Sequence, residues 1–208
     1  MHPIRPLAFA SLFALSLSPA GPAGAISLLP GSSTGVSGTT LAARPELAGV
    51  TADADIVTPF SAGGISGTVN ARVARETDAN TLDFYWQVTN DALSNGVISF
   101  LVTEKFTGFA TDVDFRTDST GSVGVASVLR IASGEELRFD FAGPILPGES
   151  SRFFFAHTNA TSFDALGTAF VGINFTPAVA SYEPVPEPGT AILFAAGLAG
   201  LAAALRRP

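Results

Sequence analysis

The strongest constraint on the fold is a strict alternation of apolar and polar side chains over residues 82–89. One set of alternate positions carries Leu82, Phe84, Trp86 and Val88, and the other carries Asp83, Tyr85, Gln87 and Thr89. Because successive side chains of a β-strand point to opposite faces of the sheet, the pattern predicts a half-buried strand. Trp86 is then a core residue, and Tyr85 lies on the opposite face.

The same period of two recurs along the body of the chain. Residues 136–141 alternate in the same way. In a later phenylalanine run, Phe153 and Phe155 are expected to face inward, whereas Phe154 is expected beneath a loop or in an exposed patch. Turn residues separate predicted strands at 47–58, 65–76, 81–90, 97–104, 110–116, 122–131, 136–142, 151–158 and 168–182.

These strands predict an all-β fold, an antiparallel two-layer β-sandwich over residues 45–182. Helical periodicity is absent there, and parallel strands would need crossover helices. The 17 Phe, one Trp and two Tyr supply enough apolar surface for such a core. The preceding residues, 26–44, are rich in Gly, Ser and Thr and are predicted to form a flexible lead-in.

Composition excludes several classes of function. The chain has no cysteine, so disulfides, Cys-ligated metal sites and thiol catalysis are ruled out. Residues 26–183 carry eight basic and 17 acidic side chains, a net charge of −9. An acidic body of this kind is unsuited to binding nucleic acid or an anionic membrane.

Residues 1–25 have the organisation of a secretory signal peptide. Arg5 precedes an apolar run over 7–17, and the small residues Ala23 and Ala25 fit the A-x-A rule of signal peptidase. An N-terminal membrane helix is the alternative. At about 1.5 Å per residue, however, the run spans only about half of a hydrocarbon core about 30 Å thick.

Residues 183–208 have three ordered parts. A proline-rich stretch, which includes Val185, Pro186, Glu187 and Pro188, is incompatible with a helix and is predicted to lie outside the domain core. A short transmembrane helix is predicted over 191–205, with its apolar bulk from Ala191, Ile192, Leu193, Phe194, Leu198, Leu201 and Leu205. Arg206 and Arg207 then form a basic stop that stays cytoplasmic.

In this order, the three parts resemble the PEP-CTERM sorting signal of exosortase substrates. The resemblance implies recognition by exosortase, a membrane-embedded protease resembling cysteine transpeptidases, with removal of the tail. It also implies release or attachment of the body at the surface of a Gram-negative exopolysaccharide producer. A permanent tail anchor with a proline-rich spacer is the alternative reading of the same residues.

The search for catalytic groups in the body centres on His157. It is the one histidine outside the predicted signal peptide, and it is interpreted as a structural residue at the rim of the core. No nucleophile stands out among the many serines of the chain, so no enzymatic activity is predicted. A hydrolase using His157 is a further alternative, which a His157 packed away from carboxylates would exclude.

Two other groups of residues are candidates for ligand contact. Asp112, Asp114 and Asp118 are close enough in sequence to suit calcium, but the spacing is not that of an EF-hand and a solvated sheet face is favoured. Tyr85 faces away from the Trp86 row and is the best candidate for stacking on a sugar ring. A carbohydrate-binding module is therefore an alternative function.

The leading hypothesis is a non-enzymatic cell-surface or extracellular-matrix protein associated with exopolysaccharide or biofilm. Its expected partners are signal peptidase and exosortase during export, exopolysaccharide afterwards, and the inner membrane before processing. No cofactor, metal or nucleic acid is expected. The precursor is expected in the inner membrane and the mature protein at the cell surface or outside the cell.

Overall fold

The computed structural model of the protein describes residues 26–44, 51–76, 79–172, 177–186 and 189, with the backbone alone at 51 and 52. The predicted signal peptide, with Ala23 and Ala25, lies outside these residues. The predicted transmembrane helix over 191–205 and the basic stop at Arg206 and Arg207 lie outside them as well. None of the described residues forms a helix with the length and apolarity needed to cross a membrane.

The regular elements of the described residues are twelve β-strands. These are β1 Ile26–Ser27, β2 Ser33–Gly35, β3 Thr51–Ala62, β4 Ile65–Arg75, β5 Leu82–Asn90, β6 Ile98–Thr103, β7 Thr111–Phe115, β8 Val125–Arg130, β9 Leu137–Ile145, β10 Phe154–Thr158, β11 Ser162–Gly172 and β12 Ala178–Val185. The segment predicted as one strand at 168–182 is divided between β11 and β12. β11 also begins earlier, at Ser162.

The strands form two sheets, in which neighbouring strands run antiparallel. In sheet I the order is β1-β7-β10-β5-β4-β3, and in sheet II it is β12-β11-β6-β9-β8-β2. One continuous apolar core contains residues of both sheets, so the sheets pack face to face. The predicted all-β, antiparallel fold in two layers is confirmed.

Trp86 joins the two layers. Its ring stacks on Phe154 of the neighbouring strand in sheet I, with centroids 6.1 Å apart, and meets Phe139 of sheet II at 5.7 Å. Its indole nitrogen donates a hydrogen bond of 2.9 Å to the hydroxyl of Ser181 in β12. The prediction that Trp86 is a core residue is confirmed, and its one polar group is satisfied across the layers.

The predicted phase of the phenylalanine run is wrong. Phe154 lies in the main core, whereas Phe155 joins Tyr85 and Ala74 in a small apolar cluster on the outer face of sheet I. Three successive phenylalanines have no alternation of their own, so pairing sets their phase. Phe154 is directly opposite Trp86 in the ladder, and opposite residues share a face.

The prediction of a flexible lead-in over 26–44 is also wrong. β1 pairs with β7, β2 pairs with β8, and Leu28 is buried in the core. The buried guanidinium of Arg130 donates to the carbonyl of Leu28 at 3.1 Å, and also to the carbonyls of Phe106, Phe109 and Gly134. Backbone pairing therefore fixes a segment whose small side chains show no alternation.

Residues 38–44 cover part of the outer face of sheet I. The amide of Gly38 donates to Asp114 Oδ1 and the amide of Leu41 donates to Asp118 Oδ2, both at 2.9 Å. The Arg44 guanidinium lies 5.4 Å from the centre of the Phe155 ring, and Leu41 packs on the same cluster. This covering segment buries polar residues that the alternation placed on a solvent face.

Candidate functional site

The candidate site lies on the outer face of sheet I, where three neighbouring strands bring a histidine between acidic residues. His157 of β10 is directly opposite Asp83 of β5 on one side and Asp112 of β7 on the other. Glu76 follows the end of β4, and its amide donates to the carbonyl of Thr81, just before β5. Antiparallel pairing thus collects groups that are far apart in sequence.

Glu76, Asp83 and His157 form a compact group, here called the histidine–carboxylate cluster. His157 Nδ1 lies 2.6 Å from Asp83 Oδ1 and 3.3 Å from Glu76 Oε1. The two carboxylate oxygens and the ring nitrogen all lie within 4.8 Å of one another. The Nδ1 atom of the imidazole therefore contacts two carboxylates at once.

The other oxygen of each carboxylate has its own hydrogen-bond donor. The Tyr85 hydroxyl donates to Asp83 Oδ2 at 3.4 Å, and the Thr81 hydroxyl donates to Glu76 Oε2 at 3.2 Å. Glu76 Oε1, although buried, has no hydrogen-bond partner within the described part of the chain. The oxygens that face His157 are thus those left available after the supporting contacts are made.

Burial and mutual charge shift the pKa values of the cluster. Burial raises the pKa of Glu76, and the neighbouring Asp83 charge raises it further. The hydrogen bond to Asp83 raises the pKa of His157, and burial opposes this effect. Burial also raises the pKa of Tyr85 far above its ordinary value, so its hydroxyl keeps its proton as a donor.

A small cavity gives solvent access to the cluster. It has a volume of about 170 Å³ and is lined by His157, Thr81, Asp112 and Thr158, among others. Asp83 is completely buried, whereas 24% of the His157 side chain is exposed. The histidine therefore forms the boundary between the cavity and the buried carboxylates.

The contacts of His157 bear on the hydrolase alternative. A His157 packed away from carboxylates would exclude this alternative, but the ring lies against two of them. Within the described ranges, however, no hydroxyl group is hydrogen-bonded to His157, which has Asp83 as its hydrogen-bond partner. A histidine–carboxylate pair without a nucleophile is only two-thirds of a hydrolytic triad.

Tyr85 does not have the exposure that was predicted for it. Only 6% of the residue is exposed, and its ring packs on Phe155 with centroids 5.2 Å apart. Because the covering segment and Phe155 bury this part of the outer face, no face of the ring is open to a sugar. The structure instead gives Tyr85 a positioning contact with Asp83.

Asp112, Asp114 and Asp118 have different surroundings. Asp114 is buried and accepts hydrogen bonds from the amides of Gly38 and Phe115, and Asp118 accepts from Leu41 and Arg116. Asp112 lines the cavity beside His157. The solvated face favoured from the sequence is wrong for Asp114, because the covering segment lies over it.

The proline-rich stretch begins inside the fold. Glu183, Pro184 and Val185 are the last residues of β12 and pair with β11, so the prediction that this whole stretch lies outside the domain is wrong. Proline is tolerated here because β12 is an edge strand of sheet II. Pro186 is exposed, and Glu187 and Pro188 lie outside the described residues.

Sequence reasoning missed Glu76 and Asp83. Asp83 belongs to the alternate set that was placed opposite the core, and Glu76 is part of no motif. The only available indication was that His157 and these carboxylates all lie at the ends of predicted strands. Which ends meet depends on strand order, and a single sequence does not reveal that order.

Comparison with known proteins identifies the end of the chain. The family model of the PEP-CTERM protein-sorting motif matches residues 184–207. The match starts within β12 and includes all four predicted motif residues, Val185, Pro186, Glu187 and Pro188. Neither a search of curated proteins nor a search of solved structures gave a match.

Proposed function

The chain carries a PEP-CTERM protein-sorting motif, and from this premise we propose that its β-sandwich serves as a non-enzymatic component of the cell surface or extracellular matrix. The motif supports export and processing by exosortase. Association with exopolysaccharide or biofilm is the finer part of the proposal. The single observation that carries the proposal as a whole is the match of the sorting-motif model to residues 184–207.

The position of the motif relative to the fold supports release of an intact domain. Val185 is the last residue of β12, and Pro186 directly after it is exposed. Cleavage beyond Pro186 would therefore leave every described strand in the mature protein. A sandwich that keeps its strands after processing is suited to a lasting role outside the cell.

Intact-mass measurement of the mature protein tests the sorting part. In cells with exosortase, we expect a C-terminus that lacks Arg206 and Arg207, and in cells without it we expect both to remain. Glu187→Gln, inside the motif, is expected to reduce cleavage. Glu183→Gln, just outside the matched residues, is the control and is expected to be cleaved normally. An unclipped end in exosortase-containing cells would refute this part.

The matrix part is tested separately by fractionation. We expect the processed protein to sediment with exopolysaccharide and to be released when the polymer is digested. Recovery of the mature protein only as free molecules in the medium would contradict matrix association. A hydrolytic activity lost on His157→Ala, found in a glycosidase and esterase screen, would contradict the non-enzymatic role.

The alternative of a carbohydrate-binding module has lost its candidate contact residue. It depended on the sandwich pattern and on an exposed ring at Tyr85, and that ring is buried against Phe155. A pull-down with exopolysaccharide therefore has no single aromatic residue to test. If the polymer is bound, we expect Tyr85→Phe to bind it as well as the natural chain does.

A further inference from the structure

We propose that Glu76, Asp83 and His157 form a binding site for one divalent cation, and that its ligand chemistry suits zinc. The ligand atoms would be Glu76 Oε1, Asp83 Oδ1 and His157 Nδ1, which lie within 4.8 Å of one another. Three protein ligands with a fourth position left to water or another ligand is a common form of zinc site. This role is independent of sorting by the C-terminal motif.

Two of the three separations, both measured from His157 Nδ1, are near those of a coordination shell, and the two carboxylate oxygens lie within 4.8 Å of each other. Zinc bonds of about 2.0 to 2.2 Å in a tetrahedral arrangement place neighbouring ligand atoms about 3.3 to 3.6 Å apart. The separation between His157 Nδ1 and Glu76 Oε1 is 3.3 Å. Asp83 Oδ1, at 2.6 Å from Nδ1, needs to move outward by less than about 1 Å.

A second observation points to a ligand independently of the composition of the cluster. Glu76 is only 7% exposed, and its Oε1 faces His157 with no hydrogen-bond partner among the residues that the structure describes. Buried carboxylate oxygens are normally satisfied by donors or by a metal. This oxygen lies 3.3 Å from His157 Nδ1, and a cation bound between the two atoms would replace their direct contact.

Thr81 and Tyr85 supply the supporting contacts that metal ligands usually have. Thr81 holds the second oxygen of Glu76 at 3.2 Å, and Tyr85 holds the second oxygen of Asp83 at 3.4 Å. Such outer contacts fix the direction of the coordinating oxygen and are common around protein metal sites. This role also explains why Tyr85 is buried with its hydroxyl against Asp83.

The donor set favours zinc over the hard cations. Calcium and magnesium take oxygen ligands almost exclusively, whereas one imidazole and two carboxylates suit zinc. Two carboxylates and a neutral imidazole carry a charge of about −2, which a divalent cation neutralises in a buried place. The cavity of about 170 Å³ beside His157 gives the cation access from solvent.

Zinc titration of the full chain tests the proposal. The protein, purified in detergent and freed of metal with EDTA, is titrated with Zn²⁺ alone by calorimetry, and bound zinc is counted by elemental analysis after dialysis. We expect one zinc per chain. Glu76→Gln, which replaces the charged carboxylate ligand by a neutral amide of the same size, is expected to weaken binding by about a hundredfold.

Two further variants separate a metal site from a plain ion cluster. Tyr85→Phe removes only the contact to Asp83 Oδ2 and is expected to weaken zinc binding about tenfold. Glu136→Gln, at an acidic residue directly before β9 of sheet II, is the matched control and is expected to bind zinc like the natural chain. Folding of each variant is checked by circular dichroism.

The outcomes distinguish the two interpretations. Stoichiometric binding that is lost in Glu76→Gln and kept in Glu136→Gln supports the site. Absence of zinc binding in the folded natural chain overturns it, and the cluster is then an ion cluster only. Binding that is equal in the natural chain, Glu76→Gln and His157→Gln also overturns it, because the zinc is then held elsewhere.

Discussion

The two faces of β5 make an instructive contrast. On the inner face, Phe84 and Trp86 are buried as the alternation of the sequence requires. On the outer face, Asp83 and Tyr85 are equally buried, although the same alternation placed them opposite the core. Burial of the inner face follows from the opposing sheet, and burial of the outer face follows from a segment about 40 residues earlier in the chain.

The difference shows two ways in which a β-strand is covered. An inner face is covered by another sheet along its whole length, so alternate residues of the strand are apolar and the sequence shows the pattern. An outer face is covered only where a loop crosses it, here residues 38–44, and hydrogen bonds to Asp114 and Asp118 hold that loop. The second kind of cover is local and polar, and it leaves little trace in the pattern of the strand.

Trp86→Ala is expected to have the largest effect on stability. Loss of the ring removes contacts with Phe154 and Phe139 and leaves the Ser181 hydroxyl without its donor. We expect the free energy of unfolding to fall by about 3 to 5 kcal/mol in urea titrations followed by circular dichroism. Trp86→Phe is the control, with an expected cost of about 1 to 2 kcal/mol. A cost below about 1 kcal/mol for Trp86→Ala would mean that the ring does not join the layers.

Phe155→Ala tests the outer face of the same sheet. Its side chain is completely buried, but Leu41 and the rest of the covering segment are able to close part of the gap. We therefore expect a cost of about 2 to 3 kcal/mol, smaller than for the inner ring. Hydrogen exchange should become faster at the Leu41 amide while that of Val88 changes less. Equal costs at both positions would break the contrast between the two faces.

The sequence was sufficient for the inner face of β5 and for most strand positions. The strand predicted at 81–90 is β5 at Leu82–Asn90, because its alternation is long and unambiguous. It was insufficient for residues 26–44, since strands held by backbone pairing need no apolar period. It was also insufficient for Phe154, whose face is fixed by pairing with Trp86 and not by its neighbours in sequence.

The candidate site was predicted only in part, for the same reason. His157 was singled out because it is the one histidine of the body, but its partners Glu76 and Asp83 were not. They reach it through the order β10-β5-β4, in which long-range pairing puts His157 opposite Asp83. By contrast, the sorting motif is continuous in sequence, so residues 184–207 alone are enough to indicate it.

Asp114 allows the tether of the covering segment to be tested as a function of pH. Asp114→Ala leaves the Gly38 amide without its acceptor, at an expected cost of about 1 to 2 kcal/mol, whereas Asp114→Asn keeps an acceptor oxygen and is expected to cost less than about 0.5 kcal/mol. Burial raises the pKa of Asp114, so the folded protein binds this proton more tightly than the unfolded chain does. Relative to Asp114→Asn, the natural chain should therefore lose stability as the pH rises from the ordinary carboxyl pKa through the raised one.

Urea unfolding of both chains at several pH values between about 3 and 7 checks this difference. We expect the free energy of unfolding of the natural chain, relative to that of Asp114→Asn, to be highest at the acidic end of this range. There Asp114 is protonated in both the folded and the unfolded state. The opposite slope would mean that the two backbone hydrogen bonds outweigh burial and that the pKa is lowered. In that case the tether would strengthen, not weaken, as the pH rises.

Arg72 gives the smallest expected effect and separates the face of a residue from its cover. It lies directly opposite Tyr85 on the same outer face, but it is partly exposed, pairs with Asp55 and lies 5.3 Å from the Phe153 ring. Exposed ion pairs and cation–π contacts are each worth little in water, so Arg72→Ala should cost only about 0.5 to 1 kcal/mol. Asp55→Ala, which removes the ion pair alone, should cost less than about 0.5 kcal/mol in the same urea titrations. A cost for Arg72→Ala as large as that of Phe155→Ala would show that position on the outer face, and not cover by residues 38–44, decides how much a side chain of sheet I stabilises the fold.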